Sequence, residues 1–300
     1  MLNISVIILT YNEEKHIERC INNAKQFSNE IFIVDSFSTD KTVEIAESLG
    51  AVVVQNKWEN NYARQFNWGL DHLSITNEWV FRLDADEYLT DALITELKER
   101  LPLVEDDING IVFPLKRYFL NTHIKRGIGT MNLLRLFKNG KARCENRWMD
   151  EHIHLFSGSS ILFKESFCDH NLNNLTWWTL KHNNYSIREA IDLLDIELNL
   201  FAVKHDNDIK QLSKYALIKR KKKAKYVKLP LFFRSFIYFL SRYFFKLGFL
   251  DGREAFLWHF LQGWWYRTLV DAKIYEIKKH CGTDKVKIKA YIKENYHIQL

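Results

Sequence analysis

The chain has little glycine and proline and no glycine-rich phosphate loop. Its 300 residues include 11 Gly and 3 Pro, so long regular elements are expected more than extended loops. No GxGxxG follows the first apolar run and no GxxxxGK[ST] occurs, which removes the backbone cradle of dinucleotide-binding and P-loop folds. A nucleotide bound here would have to be held by side chains and a metal ion.

Cysteine pairs and long apolar runs are also missing. The four cysteines lie far apart with no CxxC spacing, which favours reduced thiols in a cytoplasmic protein. No window offers about twenty uncharged apolar residues, so no transmembrane helix is expected. The first apolar run follows no basic region and is succeeded at once by Thr10, Tyr11, Asn12 and Glu13, so we interpret it as a strand and not a signal peptide.

The chain has enough apolar residues to form a large core. Hydrophobic residues make up 47% of the chain and aromatic residues 14%. The net charge is only +6, but the acids crowd the first half and the bases the second. We expect a first domain over residues 1–175, with one half over 1–90 and another over 91–175. A helical C-terminal region is expected over residues 176–300.

The first ninety residues repeat a pattern of strand and helix. Continuous apolar runs at 4–9, 31–34, 51–54 and 79–83 are typical of strands buried on both faces of a parallel sheet, and helical patterns separate them. This alternation predicts an open α/β sheet of the doubly wound type, whose ligands bind beyond the carboxyl ends of the strands. Polar clusters at 10–13, 35–40 and 84–87 follow three of those ends, so we expect them to meet in one crevice.

Asp84 and Asp86 end the fourth strand, one residue apart. Alternate strand residues share a face, so both carboxylates would point into the crevice, where they would repel each other unless a cation relieved them. Mg²⁺ and Mn²⁺ favour carboxylate oxygens and share their coordination shell with substrate phosphates. The alternative is the acidic first turn of a helix. Glu87 follows directly and is expected to point away from the crevice.

Beyond residue 109 the pattern changes. Residues 110–115, 131–137 and 160–167 read as strands without helices between them, and the chain beyond Asn171 reads as helical. There Ser186, with Glu189 three residues later, predicts a helix N-terminus with a capping box.

A basic run at 219–228 precedes an aromatic segment. A helix over 231–247 would place Arg234, Ser235, Ser241, Arg242 and Lys246 on one arc and leave a broad apolar face opposite. Such a helix beside a cluster of lysines favours the interface of an anionic membrane. A core-packed helix beside a solvated basic loop, or a nucleic-acid patch, is the alternative.

Several stretches resemble family 2 glycosyltransferases of the GT-A fold, most closely bacterial enzymes that extend lipopolysaccharide core or related cell-surface glycans. Residues 6–13 resemble the family's first strand and nucleotide-binding turn, and residues 33–42 resemble its second. Residues 63–67 are similar to its Ala-Arg-Asn stretch, and Asp84-Ala85-Asp86 matches its DxD motif. Residues 248–256 resemble a sequence segment near the C-terminus of the lipopolysaccharide-type members.

The resemblance assigns roles to these residues and implies that residues 1–175 form the catalytic domain, with a nucleotide-binding half over 1–90 and an acceptor half over 91–175. It implies that Thr10, Tyr11, Glu13, Asp35, Arg64 and Asp84 bind the donor. Asp86 would bind a divalent metal, Mg²⁺ or Mn²⁺, and His170 would complete the metal's shell. The base of an inverting transfer would come from the acidic pair Asp150 and Glu151, with Glu151 preferred and Asp150 the alternative.

Together these observations predict an inverting, metal-assisted glycosyltransferase of the hexosyltransferase type. Its donor would be a nucleotide-sugar, a UDP-sugar by the resemblance, and its acceptor lipopolysaccharide or a lipid-linked glycan. The protein would lie on the cytoplasmic face of the bacterial inner membrane, bound peripherally to anionic lipid, with no nucleic-acid partner. A sugar-phosphate nucleotidyltransferase is the first rival, but it normally has a glycine-rich basic loop. A nucleic-acid-binding protein is the second, but it leaves the converging acids unexplained.

Overall fold

A computed structural model describes residues 1–59, 61–145, 152–201 and 214–298 of the chain. Its first part alternates strands and helices along the chain, as the sequence predicts. The elements are β1 (Ile4–Thr10), α1 (Ile17–Ala24), β2 (Glu30–Asp35), α2 (Thr42–Ser48), β3 (Val52–Gln55), α3 (Tyr62–His72), β4 (Trp79–Asp84), β5 (Glu87–Leu89) and α4 (Asp91–Arg100).

The middle of the chain consists of strands. They are β6 (Ile108–Phe119), β7 (Thr122–Ile124), β8 (Met131–Lys138), β9 (Ala142–Cys144), β10 (Ile153–Leu155), β11 (Ser159–Leu162) and β12 (Phe167–Asp169). The single strand predicted over 160–167 is wrong. It is two short strands, β11 and β12, which both pair parallel to β6 at successive positions along its length.

The main sheet is open and mixed, with strand order β3-β2-β1-β4-β8-β6-β12-β5. β1 pairs parallel with β2 and β4, and β2 pairs parallel with β3. β8 then runs antiparallel to both β4 and β6. The predicted α/β class with an open sheet is confirmed.

Helices cover both faces of the parallel half of the sheet. α1 and α4 bury Ile17, Ile21, Leu93 and Leu97 in one apolar cluster with the strands. α3 buries Ala63 and Phe66 on the opposite face, beside the β9–β10 hairpin. Strands covered on both sides must be apolar throughout, which is the pattern that residues 4–9 and 31–34 have.

The C-terminal part is helical. Its elements are α5 (Leu175–Leu198), α6 (Lys214–Val227), α7 (Phe233–Leu240), α8 (Arg253–Trp258), α9 (Tyr266–Cys281) and α10 (Lys285–Tyr296). π-helical turns at Ser241–Phe245 and His259–Trp265 and a 3₁₀ turn at Gly248–Asp251 interrupt the series. In the described part of the chain, none of the helices combines the length and apolar character needed to cross a bilayer.

Two predicted helix boundaries in this region are wrong. Ser186 lies buried within α5. The N-cap of this helix is Asn174, whose side chain accepts the Trp177 backbone N–H. The helix predicted over 231–247 ends as an α-helix at Leu240, where the π-helical turn begins. A hydrophobic period identifies a helical face but does not tell an α turn from a π turn.

Candidate active site

The polar ends of β1, β2 and β4 meet at one edge of the sheet. The strand register pairs Thr10 with Asp35 and Leu9 with Asp84, so the three strands end level with one another. The loops behind them are hydrogen bonded together: the Asn12 backbone N–H donates to Ser38 Oγ over 2.8 Å. The crevice expected from the sequence is therefore present.

Asp35 is the best-connected acid of the crevice. Its fully buried carboxylate accepts hydrogen bonds from Thr10 Oγ1 at 2.8 Å and from the Ser38 backbone N–H at 2.8 Å. Ser38 Oγ and Gln55 Nε2 donate as well. Of the predicted donor-binding residues, Thr10 and Asp35 are thus joined to each other and hold the loop after β2.

Glu13 reaches the far wall of the crevice through a histidine. Its carboxylate lies 2.6 Å from Nδ1 of the buried His16, whose Nε2 accepts the Leu172 backbone N–H at 2.8 Å. Because Nε2 is an acceptor, Nδ1 carries the proton and donates to Glu13. The first loop is thereby joined to the segment before α5. Tyr11, next to this chain of contacts, is exposed.

Asp84 is backed by two buried arginines. It is the last residue of β4, and its carboxylate lies 3.2 Å from Arg135 Nη2 and 3.7 Å from Arg82 Nη2. Arg135 also contacts the buried Glu87 at 2.5 Å, and Glu87 Oε2 accepts the Asp84 backbone N–H. Glu87 does not enter the crevice, as expected, but it helps to fix Asp84 from behind.

These contacts set the charges of the two acids. Burial alone would raise the pKa of Asp84, but Arg135 and Arg82 hold that pKa below its ordinary value. For Glu87 burial dominates, so its pKa lies well above the usual range although Arg135 lowers it. The carboxylate that faces the crevice is thus the one kept ionised.

Asp86 lies in the turn between β4 and β5 and is not part of the strand. Its Oδ2 accepts a hydrogen bond from Asn171 Nδ2 at 2.9 Å, and its backbone oxygen accepts the His170 N–H at 3.0 Å. The His170 ring stacks on Tyr118, and its Nε2 lies 2.9 Å from Asn121 Oδ1. Burial and the nearby Arg19 lower the pKa of His170, which favours the neutral ring that a metal ligand requires.

The donor set fits a divalent metal that is held jointly with a substrate. Within the described ranges, no group of three or more His, Cys, Asp or Glu side chains is gathered for a metal. Mg²⁺ is usually bound by one or two carboxylates together with substrate phosphates. Asp86 offers such a carboxylate, since Asn171 occupies only one of its oxygens. A metal there would offset charge on a phosphate leaving group.

Arg64, the remaining predicted donor ligand, is on the first turn of α3. Its guanidinium makes an exposed ion pair with Glu59 at 3.3 Å. Its neighbours in the sequence have structural roles. The buried Gln65 side chain donates hydrogen bonds to Ser36 Oγ and to the Asn56 backbone oxygen. Asn67 bonds both the N–H and the C=O of Cys144.

Both candidate bases, Asp150 and Glu151, lie outside the described residues. The described flanks Glu145 and His152 are hydrogen bonded to each other, with the Glu145 N–H donating to the His152 oxygen over 2.9 Å. Arg82 Nη1 lies 3.2 Å from Cys144 Sγ and also contacts Asp84. The strand that leads to the acidic pair is therefore adjacent to the crevice.

Several residues of the crevice were missed from the sequence. Arg82 and Arg135 stand in the middle of apolar strands, where an unpaired charge would be costly. That isolation in a hydrophobic run was a usable signal for a buried partner. His16 and Asn171 had no such signal, because Leu172 and Asp86, which they contact across the fold, are distant in sequence.

Comparison with known proteins agrees with this geometry. The family described as Glycosyl transferase family 2 matches residues 5–170, more than half of the chain. The chain belongs to this glycosyltransferase family. The matched range contains the main sheet except for Ile4, and it contains the described crevice residues discussed above up to His170.

Individual relatives match over different lengths. An uncharacterized glycosyltransferase of Rickettsia bellii is 45% identical over 32% of this chain and 31% of its own length, so this chain spans about a third of that relative. The lipopolysaccharide core biosynthesis glycosyltransferase LpsC of Rhizobium meliloti is 26% identical over 92% of this chain and 93% of its own. Glucosyl-3-phosphoglycerate synthase from Mycobacterium tuberculosis, crystallised with Mn²⁺, UDP and glucosyl-3-phosphoglycerate, is 23% identical over 38% of this chain and 44% of that chain, with a TM-score of 0.32.

Proposed function

We propose that this glycosyltransferase performs an inverting, metal-assisted transfer of a sugar from a UDP-sugar to a lipopolysaccharide or lipid-linked acceptor. The observation that carries the proposal is the convergence of Asp84, Asp86 and the polar loops after β1 and β2 in a crevice with no glycine loop. A diphosphate bound among acids needs a cation to offset repulsion. A nucleotide-sugar with a divalent metal satisfies that need.

The residues take the following roles in the proposal. Asp86 holds the metal, with His170 beside it. The donor contacts come from Thr10, Tyr11, Glu13, Asp35, Arg64 and Asp84. A carboxylate of the acidic pair, Glu151 in preference to Asp150, accepts the proton of the acceptor hydroxyl. At the same time the oxygen of that hydroxyl bonds to the anomeric carbon. The bond from that carbon to the diphosphate oxygen breaks, and its electron pair stays on the nucleoside diphosphate.

The acceptor side of the proposal draws on the C-terminal helices. The relative that matches nearly the full length is named for lipopolysaccharide core biosynthesis. In α7 and the turn after it, the polar residues Arg234, Ser235 and Arg242 are buried, while Phe233 is 59% and Phe244 51% exposed. A helix with its polar face inward and its aromatic face outward suits a lipid interface and not a soluble surface.

The exposed aromatic rings form one connected surface. Phe236 and Phe260 both contact Trp264, and Phe256 links Phe260 to Tyr243. Exposed lysines of α6, including Lys221, Lys222 and Lys225, are close by in the chain, and the Tyr226 ring packs on Tyr238 of α7. We propose that this surface binds the anionic inner face of the bacterial inner membrane peripherally.

A thermal-shift screen of nucleotide-sugars with and without Mn²⁺ tests metal, nucleotide and sugar together. We expect a UDP-sugar to raise the melting temperature only when Mn²⁺ or Mg²⁺ is present, and EDTA to abolish the shift. Asp86→Ala is expected to lose this shift and sugar transfer, because the carboxylate that binds the metal is gone. Asp106→Ala, an exposed acid away from the crevice, is the matched control. Full activity in Asp86→Ala would refute the metal role of Asp86.

A further inference from the structure

Helix α5 is bonded to the crevice through the segment before it and to α3 through its middle. Trp177, Lys181 and Tyr185 are spaced four residues apart and therefore lie on the same side of the helix. Tyr185 Oη is 2.6 Å from Tyr62 Oη at the start of α3, which ties this face to the sheet. At the other end, the segment before α5 is bonded to Asp86 through Asn171.

The amine of Lys181 is held by aromatic rings and not by a carboxylate. Its Nζ lies 4.6 Å from the centroid of the Trp177 ring and 5.7 Å from that of Tyr185. Cation–π contacts of this kind fix an ammonium group without neutralising it. In the part of the chain that the structure describes, no carboxylate lies within 4.0 Å of this nitrogen.

Acids nevertheless surround Lys181 at longer range, and each is already engaged. Asp169 pairs with Arg117 at 3.1 Å, Glu13 pairs with His16, and Asp86 accepts from Asn171. Burial alone would lower the pKa of Lys181, but Asp86 and the other acids raise it above its ordinary value, so the amine is charged at neutral pH. A charged amine that makes no direct ion pair with these acids in the described part of the chain remains available to a ligand.

We propose that Lys181 is a catalytic residue that contacts the diphosphate of the sugar donor and stabilises the charge which that group gains as the sugar leaves. This inference rests on the proposed function. One divalent cation offsets only part of the combined charge of Asp86 and a diphosphate, so a second cation strengthens donor binding. It also stabilises the transition state, in which the leaving oxygen becomes more negative.

Lys181→Met tests the charge while keeping an unbranched side chain that can pack on the rings. With Mn²⁺ present, calorimetric titration should give an affinity for UDP about tenfold or more below that of the unaltered protein, since the lost contact is to a charged group. The affinity for UMP should change by less than about twofold, because UMP lacks the second phosphate. Lys181→Arg should restore part of the UDP affinity, and Lys98→Met, an exposed lysine on α4, should change neither value.

The outcomes separate this inference from the proposed function. If the unaltered protein binds none of UDP, GDP, CDP and dTDP, the proposed function fails and the inference fails with it. If the unaltered protein binds UDP and Lys181→Met keeps its full preference for UDP over UMP, the inference alone is overturned. An equal loss of UDP and UMP affinity would also overturn it, since it would indicate a structural role. Lys181→Gln replaces Lys181→Met if the latter lowers the melting temperature.

Discussion

At the scale of single residues, the crevice works because paired charges fix the acids that face it. Asp84 is the last residue of β4, and its carboxylate and N–H are held by Arg135 and Glu87 respectively. Such a carboxylate is ionised and oriented before any ligand arrives. Asp86, in contrast, has a partner on only one oxygen. The two aspartates of the motif therefore have different environments, which agrees with the different roles proposed for them.

The identity of the base is a prediction at the same scale. Glu151→Gln should retain donor binding and lower turnover by about 10²- to 10⁴-fold, because the acceptor proton has no carboxylate to receive it. Radiometric transfer assays measure the turnover, and thermal shift with donor and Mn²⁺ measures the binding.

Asp150→Asn is the matched variant for this prediction, since it removes the neighbouring negative charge with the same loss of basicity. It should keep most of the turnover. If Asp150→Asn lowers turnover and Glu151→Gln does not, the base is Asp150.

At the scale of elements, α7 is held by a buried ion pair as well as by apolar packing of Phe239. Arg234 Nε and Nη2 lie 2.8 and 2.5 Å from Asp271 Oδ1 on α9, and the Phe232 N–H donates to Asp271 Oδ2 at 2.7 Å. Arg234 and Asp271 are both buried. The polar arc of α7 thus attaches it to the protein together with the buried Phe239, which leaves Phe233 and Phe236 on the outside.

Removing one partner of this ion pair should lower the free energy of unfolding. Asp271→Asn leaves the Arg234 guanidinium buried without a counter-ion, and we expect the free energy of unfolding to fall by about 3–5 kcal/mol. Denaturant titration monitored by tryptophan fluorescence measures the change.

Glu197→Gln is the control for this prediction. Glu197 pairs with Lys278 at 2.6 Å on a partly exposed surface between α5 and α9, so its loss should cost no more than about 1 kcal/mol. Equal effects of the two substitutions would contradict the attachment role of Asp271.

At the scale of the whole molecule, the aromatic surface and the basic residues are both suited to binding an anionic membrane. The chain carries a net charge of +6, and several exposed lysines of α6 precede the exposed phenylalanines of α7. Apolar burial and attraction to anionic headgroups add to each other at a membrane surface. The helical C-terminal part is joined to the main sheet, since Trp178 of α5 packs against both Phe119 of β6 and Trp258 of α8.

Membrane binding can be measured with vesicles. Phe236→Ser with Phe244→Ser should weaken sedimentation with phosphatidylglycerol vesicles by at least about tenfold, because each ring withdraws apolar area from water on binding. Stability should change little, since both side chains are exposed in the free protein.

Leu103→Ser with Val286→Ser is the matched control, because these residues are exposed and apolar but lie outside the aromatic surface. It should leave sedimentation unchanged. Binding of the phenylalanine variant that equals that of the unaltered protein would contradict the membrane proposal.

Much of the first half could be predicted from the sequence because its signals are local. A strand buried on both faces needs a continuous apolar run, and the polar residues at 10–13, 35–40 and 84–87 must follow where that run stops. The α/β class and the meeting of the polar strand ends were predicted correctly from these runs, and the family from the resemblance of the motifs. The boundary at Ser186 was wrong because a polar side chain within a helix resembles a cap in the sequence alone, and the helix over 231–247 was too long because a hydrophobic period does not tell an α turn from a π turn.

The sequence by itself determined which residues end the strands and therefore which side chains reach the crevice, because hydrophobic periodicity and chain order fix the open sheet. Only the tertiary structure decided how those side chains are held. The links from the buried His16 to Leu172 and from Asp84 to the buried Arg135 join polar groups that are far apart in the sequence. Whether burial or a partner prevails depends on distances that no sequence pattern encodes.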